Sequence, residues 1–337
     1  MRPTVKDVAA HAGVSPKTVS NVMNGVVFVR PDTRARVEQA ITDLEYVPNL
    51  SARGLRNGRS GVIALAMPDL STPYSAEMSH HFVEVAHEQG WVIQFEETAV
   101  EPDRAWTLVS RARAHLVDGV ILNPITIEDG RVATSAGLPP LVMIGEVQQT
   151  AVDQVWVDSV AAARDMTNHL LSLGHRRIGV VGCVGPGFDT ATARLRLDGY
   201  LEALAAAGIP RDDRVELTCP EWTPRAAAGA VGRSLAAGPP PDAFFCFTDS
   251  LAIGTISALW SAGHTTPGDV AVAGFDDIAD GQFATPPLTT VSFDKRMFAE
   301  RTLALLVARM ANPHGIPTRV TIPHTVIARA STATRTR

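Results

Sequence analysis

Between residues 4 and 46 three helical patterns follow one another with very short turns, and no other feature restricts the fold of this chain as much. Thr4 predicts an N-cap, with Asp7 at the third helical position to return the bond. Val5, Val8, Ala9 and Ala12 then share one apolar face. Gly13 ends that helix, because it takes positive φ at no steric cost. Ser15 caps the next helix, and Pro16 stands at its first position, where no backbone donor is lost. Val19, Val22 and Met23 supply its apolar side, and Asn24-Gly25 stops it. A third helix starts near Pro31-Asp32-Thr33, buries Ala35, Val37, Ala40, Ile41 and Leu44, and ends before Tyr46-Val47-Pro48. Helix, short glycine turn, helix and third helix make a helix-turn-helix arrangement. A purely structural three-helix bundle would need the same caps. It would not explain why the second helix exposes Pro16, Lys17, Thr18, Ser20 and Asn21. Short polar and basic groups of this kind suit base edges and phosphates, Thr18 and Ser20 the phosphates.

Charge follows the same division. Residues 1–60 hold nine Lys/Arg against five Asp/Glu, a net +4, while the remaining residues hold 21 against 30, a net −9. A basic head on an acidic body points to an anionic partner for the head. The 337 residues are 45% hydrophobic, enough for a large core and two or three domains, which excludes low-complexity disorder. No run approaches 18 uninterrupted apolar residues, so no membrane span is expected. The N-terminal stretch MRPTVKDVAAHAGVSP lacks a signal-peptide core. Cys183, Cys219 and Cys246 are too few and too far apart for a disulfide framework or a metal cluster. These features predict a soluble cytoplasmic protein.

From residue 61 short apolar runs alternate with helical stretches. Strands are expected at 62–67, 91–96, 119–122, 141–144, 155–157, 177–181, 243–247 and 270–274. Helices are expected at 76–89, 105–115, 160–173, 193–207, 224–235 and 250–262. The runs are mostly apolar rather than alternating, so the sheets should be parallel and covered on both faces, an α/β doubly wound body. Ligands bind such sheets outside the carboxyl ends of the strands. Asp69, Tyr74, Asn123, Glu146, Asp158, Thr248-Asp249 and Asp276-Asp277 stand there, Arg196 opens a helix, and Trp222 follows Pro220-Glu221. Several have plain structural alternatives. Asp249 and Asp158 would serve as helix caps, Asp277 as a solvated charge, and Tyr74 and Trp222 as packing.

Enzyme motifs are missing. Gly185-Pro186-Gly187 is followed by Thr190 where a dinucleotide fingerprint needs its third glycine. There is no GxxxxGK[ST], HExxH or GxSxG. His80 and His81 are adjacent, so in a helix they point about 100° apart and share a metal poorly. No cofactor is expected.

The runs VKDVAAHAGVSPKTVSNVMNG, TRARVEQAITDLEYVPN and SARGLRNGRSGVIALAMPDLSTPY resemble the lactose repressor (LacI/GalR) family. The likeness continues through DGVIL, LLSLGHRRIGVVG, RLRLDGYLEAL, FTDSLAIG, DVAVAGFDD and PPLTTVSFD. It implies a helix-turn-helix domain at 1–48 and a hinge helix at 49–60. It further implies a two-lobed body at 61–337 of the type I periplasmic-binding-protein kind. Lobe one would span about 61–160 plus 292–325 and lobe two about 161–291, with crossovers near 160 and 290. The implied function is sequence-specific transcriptional regulation, with operator affinity switched by a small molecule. The implied partners are a pseudo-palindromic duplex operator and a second copy of the chain, with no membrane. The C-terminal residues 330–337 show no leucine heptad for a larger assembly.

The resemblance also assigns residues. DNA contacts would come from Thr4, Ser15, Pro16, Lys17, Thr18, Ser20, Asn21 and Asn24, with Pro16, Lys17 and Asn21 reading bases. In the hinge, Leu55 matches a minor-groove wedge and Ala52 and Arg56 its neighbours. That segment is too short to be helical alone, and Gly54 costs roughly 0.5–1 kcal/mol relative to Ala, so it should order on DNA. Otherwise 49–60 is a flexible linker. Effector contacts would fall on Arg196, Asp276, the aromatics Trp222 and Tyr74, and on Ser75, Glu146 and Thr248, where relatives often carry an aromatic, Asp and Asn. A sugar or sugar derivative fits hydroxyl acceptors, an arginine donor and an aromatic face. A nucleobase corepressor is the alternative. A sugar-binding protein without DNA function is a further one, disfavoured by the head.

Overall fold

The computed structural model describes residues 3–23, 28–46, 60–99, 101, 103–104, 107, 116–124, 139–147, 149–185 and 190–333. It divides the chain into two units, 1–60 and 61–337. In the first unit α1 (Val5–Ala12), α2 (Pro16–Met23) and α3 (Pro31–Asp43) form. The Asp7 amide donates to Thr4 Oγ1 at 3.4 Å and the Thr4 amide to Asp7 Oδ2 at 2.8 Å, a reciprocal cap. Bonds from the Thr4 hydroxyl and then the Thr4 amide hold the Asp7 carboxyl below its ordinary range. Gly13 ends α1 at φ 63°, and the Thr18 amide donates to Ser15 Oγ at 3.1 Å to start α2. Val8, Ala9, Ala12, Val19, Val22, Val37, Ala40 and Tyr46 close one small core. Asn24, Ala52, Leu55 and Arg56 lie outside the described residues, as does most of the helix expected at 105–115.

The second unit holds two six-stranded sheets. β1 (Val62–Met67), β2 (Val92–Glu97), β3 (Gly119–Leu122), β4 (Leu141–Ile144) and β5 (Asp153–Val157) belong to the first. β6 (Ile178–Cys183), β7 (Glu216–Thr218), β8 (Ala243–Cys246), β9 (Ala271–Phe275) and β10 (Thr289–Phe293) belong to the second. β11 (Arg319–Ile322) returns to the first sheet and β12 (His324–Ile327) to the second. The strand orders are β11-β5-β4-β3-β1-β2 and β12-β10-β9-β8-β6-β7. Strands β3, β4, β6, β8 and β9 are buried along their whole length, as apolar runs without alternation require. Two strands depart from the expected pattern. β12 runs antiparallel to β10, and β2, at an edge, has no fully buried position.

Among the described residues the chain passes between the sheets three times. Two of these passages are capped by aspartates. Asp158 accepts from the Ala161 amide at 3.0 Å, opening α5 (Ser159–Ser172), after α4 (Pro73–Glu88) on the first sheet. Asp294 accepts from the Met297 amide at 2.8 Å, opening the C-terminal helix Lys295–Ala311. The third passage is Pro323, a single residue between β11 and β12, which the sequence reading did not include. Nor did it include β7, β10, β11, β12 or the helix at 295–311. β10 hides because its sequence is rich in hydroxyls. Thr289 and Thr290 are fully buried, satisfied by Thr332 Oγ1 at 2.8 Å and Asp249 Oδ1 at 2.6 Å.

Helices pack closely on the second sheet. Gly199 in α6 (Ala191–Ala206) lies against α5, where an added Cβ would run into the Val160 carbonyl and sit 3.0 Å from Ala163 Cβ. Gly232, in α7 (Pro224–Ala237), faces open space. Gly199→Ala should therefore lower stability by about 1–3 kcal/mol through overpacking. Gly232→Ala should raise it by about 0.5–1 kcal/mol through helix propensity. Urea denaturation of both variants checks the opposite signs.

Candidate ligand cleft and DNA-reading helix

Side chains from both sheets converge where strands end. Tyr74 lies in the first turn of α4, after β1, and Glu146 follows β4. Gly145 turns the chain there at φ 88°, and a side chain on it would meet Asn123 Oδ1 at 2.9 Å. From the second sheet, Trp222 follows β7, Thr248 caps α8 (Asp249–Ser261) and Asp276 follows β9. Arg196 sits in the second turn of α6 rather than at its start.

Arg196 is the centre of the group and only 4% exposed. Its Nε donates to Ser159 Oγ at 3.3 Å and its Nη1 to the Phe247 carbonyl. Its Nη2 stands 3.7 Å from Glu146 Oε1 and 3.9 Å from Asp276 Oδ1. The guanidinium lies 3.4 Å from the Phe275 ring centroid and 5.9 Å from that of Trp222. Glu146 also accepts from Thr192 Oγ1 at 2.8 Å and from Ser159 Oγ at 3.1 Å. A carboxylate carried by the first sheet is thus bound by three groups carried with the second. The Trp222 indole donates to the Gly182 carbonyl at 3.3 Å, which fixes its ring.

Burial pushes the Asp276 carboxyl up to about 7, with Arg196 and Lys295 opposing the rise. Burial, with the Asp276 and Glu146 carboxylates, also raises the Tyr74 phenol, which stays protonated as a donor. A gap of 3.9 Å between Nη2 and Asp276 is too long for a direct hydrogen bond. Only a group beside the pair, able to accept from the arginine and donate to the carboxylate, could bridge them.

The other expected residues have structural partners. Ser75 is buried and its hydroxyl accepts from Thr72 Oγ1 at 2.9 Å. Thr248, half-buried, accepts from the Leu251 amide at 3.2 Å. Asp249 is therefore not the cap of α8. Its buried carboxylate accepts from the Ile278 amide at 2.9 Å and Thr290 Oγ1 at 2.6 Å, bracing the loop that carries Asp276. Gly274 makes room for it, since a Cβ there would collide with Asp249 Oδ1. Asp277 is not a solvated charge either: it accepts from Arg329 Nη2 at 2.7 Å and Ser292 Oγ at 2.8 Å. Asp69 closes a local turn with Ser71. Ser159, Thr192 and Phe275 join the site without having been expected. A hydroxyl residue in the first turn of a helix that follows a strand marked the first two.

In the head, Ser15, Pro16 and Lys17 are exposed and Thr18, Ser20 and Asn21 half-buried along α2. Ser15 Oγ and Thr18 Oγ1 share a 2.9 Å bond at its start, and the Thr4 hydroxyl donates to Asp7 Oδ2 at 2.7 Å.

A helix-turn-helix head joined to a body of two linked α/β sheets, with ligand-type groups between them, defines a ligand-responsive DNA-binding protein. Comparison agrees. The family model for bacterial regulatory proteins of the lacI family matches residues 4–49, and that for the periplasmic binding protein-like domain matches 167–332. The HTH-type transcriptional repressor CytR of Escherichia coli K12 is 30% identical over 313 residues, covering 92% of this chain and 91% of CytR. The structure of the lac repressor dimer bound to operator and the anti-inducer ONPF has TM-score 0.87 and 26% identity, covering 99% of this chain and all of that one. The transcriptional regulator CelR–cellobiose complex has TM-score 0.71 and 30% identity, covering 98% of this chain and all of that one. The chain belongs to the LacI family and is a DNA-binding transcriptional regulator.

Asp276 also makes stability depend on pH. Its folded pKa is raised from 3.8 to about 7, so its contribution is full below about pH 4 and is lost as pH rises through 7. Asp276→Asn should flatten the fall in stability between about pH 4 and 7, measured by urea denaturation across that range.

Proposed function

We propose that the chain represses transcription as a dimer on a twofold-symmetric operator, and that a sugar or sugar derivative held around Arg196 changes its grip on DNA. The observation that carries this reading is the Arg196 guanidinium, buried between Glu146 of one lobe and Asp276 of the other. Around it stand two carboxylate acceptors, a protonated phenol and an indole face. That set answers the hydroxyls and the apolar face of a sugar ring. The cellobiose complex of CelR supports the same chemical class. A ligand that touches both lobes binds one lobe angle better than another and so shifts the population. Ligand and operator then change each other's affinity by the same factor, ordinarily about 5–150-fold.

On the DNA side, exposed Lys17 in α2 donates to guanine O6 and N7, with Pro16 and Asn21 beside it. Leu55 in the hinge acts as the minor-groove wedge, flanked by Ala52 and Arg56.

Three experiments test the reading. Lys17→Ala should cost about 1–3 kcal/mol and relax preference at one half-site position, read from binding to a substituted operator series. Equal losses on every sequence, with a shallower salt dependence, would make Lys17 a phosphate contact. A thermal-shift screen of sugars, cellobiose included, identifies the effector by its rise in melting point. Titrating that sugar against operator binding should then show a response in the wild type that Arg196→Ala and Asp276→Ala lack, with basal operator affinity kept. A wild-type response in both variants would move the site elsewhere.

A further inference from the structure

The loop that carries Asp276 is held by its main chain from two directions. Asp276 and Asp277 both take positive φ, 110° and 48°, which L side chains rarely adopt without support. On the second-lobe side three successive amides are held. The Asp276 amide donates to the Val291 carbonyl at 2.9 Å, the Asp277 amide to Thr290 Oγ1 at 3.3 Å and the Ile278 amide to Asp249 Oδ2. On the other side stand two charged residues of elements packed on the first sheet. Glu77, in the second turn of α4, accepts from the Ala279 amide through Oε1 at 2.6 Å. Lys295, the first residue of the helix that crosses back to lobe one, donates from Nζ to the Asp277 carbonyl at 2.7 Å. The two neutralise each other, with Nζ 2.8 Å from Glu77 Oε2. Lys295 is 9% exposed.

This arrangement is specific in a useful way. One anion takes a backbone N–H and one cation takes a backbone C=O two residues earlier. Charge-assisted bonds of this kind are about twice as strong as neutral ones. Both go to main chain, so they sense where the loop is rather than which side chains it carries. Removing Glu77 leaves the nearly buried Lys295 without its carboxylate partner, whereas Glu77, half-buried, loses less when Lys295 is removed.

We infer that Glu77, paired with Lys295, is a positioning residue that fastens lobe one to the loop bearing Asp276 and so sets how far the cleft opens. Movement of that loop when a ligand engages Asp276 pulls directly on α4, whether or not the ligand reaches lobe one. The inference takes from the proposed function only the role of Asp276.

Its test needs no effector. The three native cysteines are buried, so spin labels can be attached at Gln89→Cys on lobe one and Arg225→Cys on lobe two of the full chain, both exposed positions. Doubly labelled protein, diluted with unlabelled protein so that each dimer carries one pair, is measured by pulsed electron–electron resonance. Wild type should give one dominant distance. Glu77→Ala and Lys295→Met should each raise the share of a longer distance about tenfold, within the usual range of couplings. Glu77→Gln keeps the acceptor for the Ala279 amide and should fall between. If Glu77→Ala does not fold, Glu77→Gln and Lys295→Met carry the measurement. Folded variants with the wild-type distribution overturn the inference, and so does a lower melting point with no change in distance. Neither result depends on whether Arg196→Ala and Asp276→Ala lose an effector response.

Discussion

A guanidinium removed from water must be met on every side by acceptors and polarisable surface, and the body of this protein is arranged around one such group. Arg196 meets Ser159, the Phe247 carbonyl, Glu146, Asp276 and the Phe275 face, and these come from four separate stretches of chain. Each stretch is placed by its own local device. Gly145 turns Glu146 inward, Asp158 caps the helix that opens with Ser159, and Asp249 braces the Asp276 loop. Any change in the angle between the lobes alters the distance from Glu146 to Arg196. The charge balance of the cleft and its geometry are therefore one variable.

Much of this was legible in the residues themselves. Helix caps are local chemistry, so Thr4, Gly13 and Ser15-Pro16 placed α1 and α2 without reference to the rest of the fold. Continuous apolar runs placed β1, β3 and β4 and marked the sheets as parallel. The resemblance supplied Arg196, Trp222 and Asp276, and the structure brings these together with Tyr74 and Glu146. What escaped was held together by distant partners. Thr289 and Thr290 give no apolar signal of a buried strand, and only Thr332 and Asp249, meeting them inside, account for their burial. Asp249 and Asp277 read as a cap and a solvated charge because their partners lie 29 or more residues and 15 or more residues away, respectively. Glu77 gave no signal at all, since one acid in an amphipathic helix is ordinary. Only the main chain it grips, some 200 residues on, makes it distinct.

The two functions of the chain also separate by charge. The head is net positive and the rest net negative, so the long-range field that draws the protein to nucleic acid originates in its smallest part. The acidic body disfavours unspecific adsorption along the phosphate backbone, and its cleft adds two carboxylates to one arginine. A ligand with its own negative charge would enter that cleft against the field. Uncharged polyols would pay no such penalty.

The passage through Pro323 has a consequence for how the protein is made. The first sheet gains its edge strand, β11, only at residues 319–322, and the helix that covers β3, β4 and β5 only at 295–311. During synthesis the second sheet acquires β6 to β10 while the first still lacks that helix and leaves an apolar face uncovered. Leu306 and Met310 from the late helix are what eventually fill the space beside Gly119. The lobe that emerges first is therefore still open when most of the second sheet is made, and a message truncated shortly before codon 295 would encode a lobe two lacking β12 attached to an unclothed sheet. Such a product is a natural client for chaperones and proteases, and neither lobe can be inherited or transplanted as one continuous piece of gene.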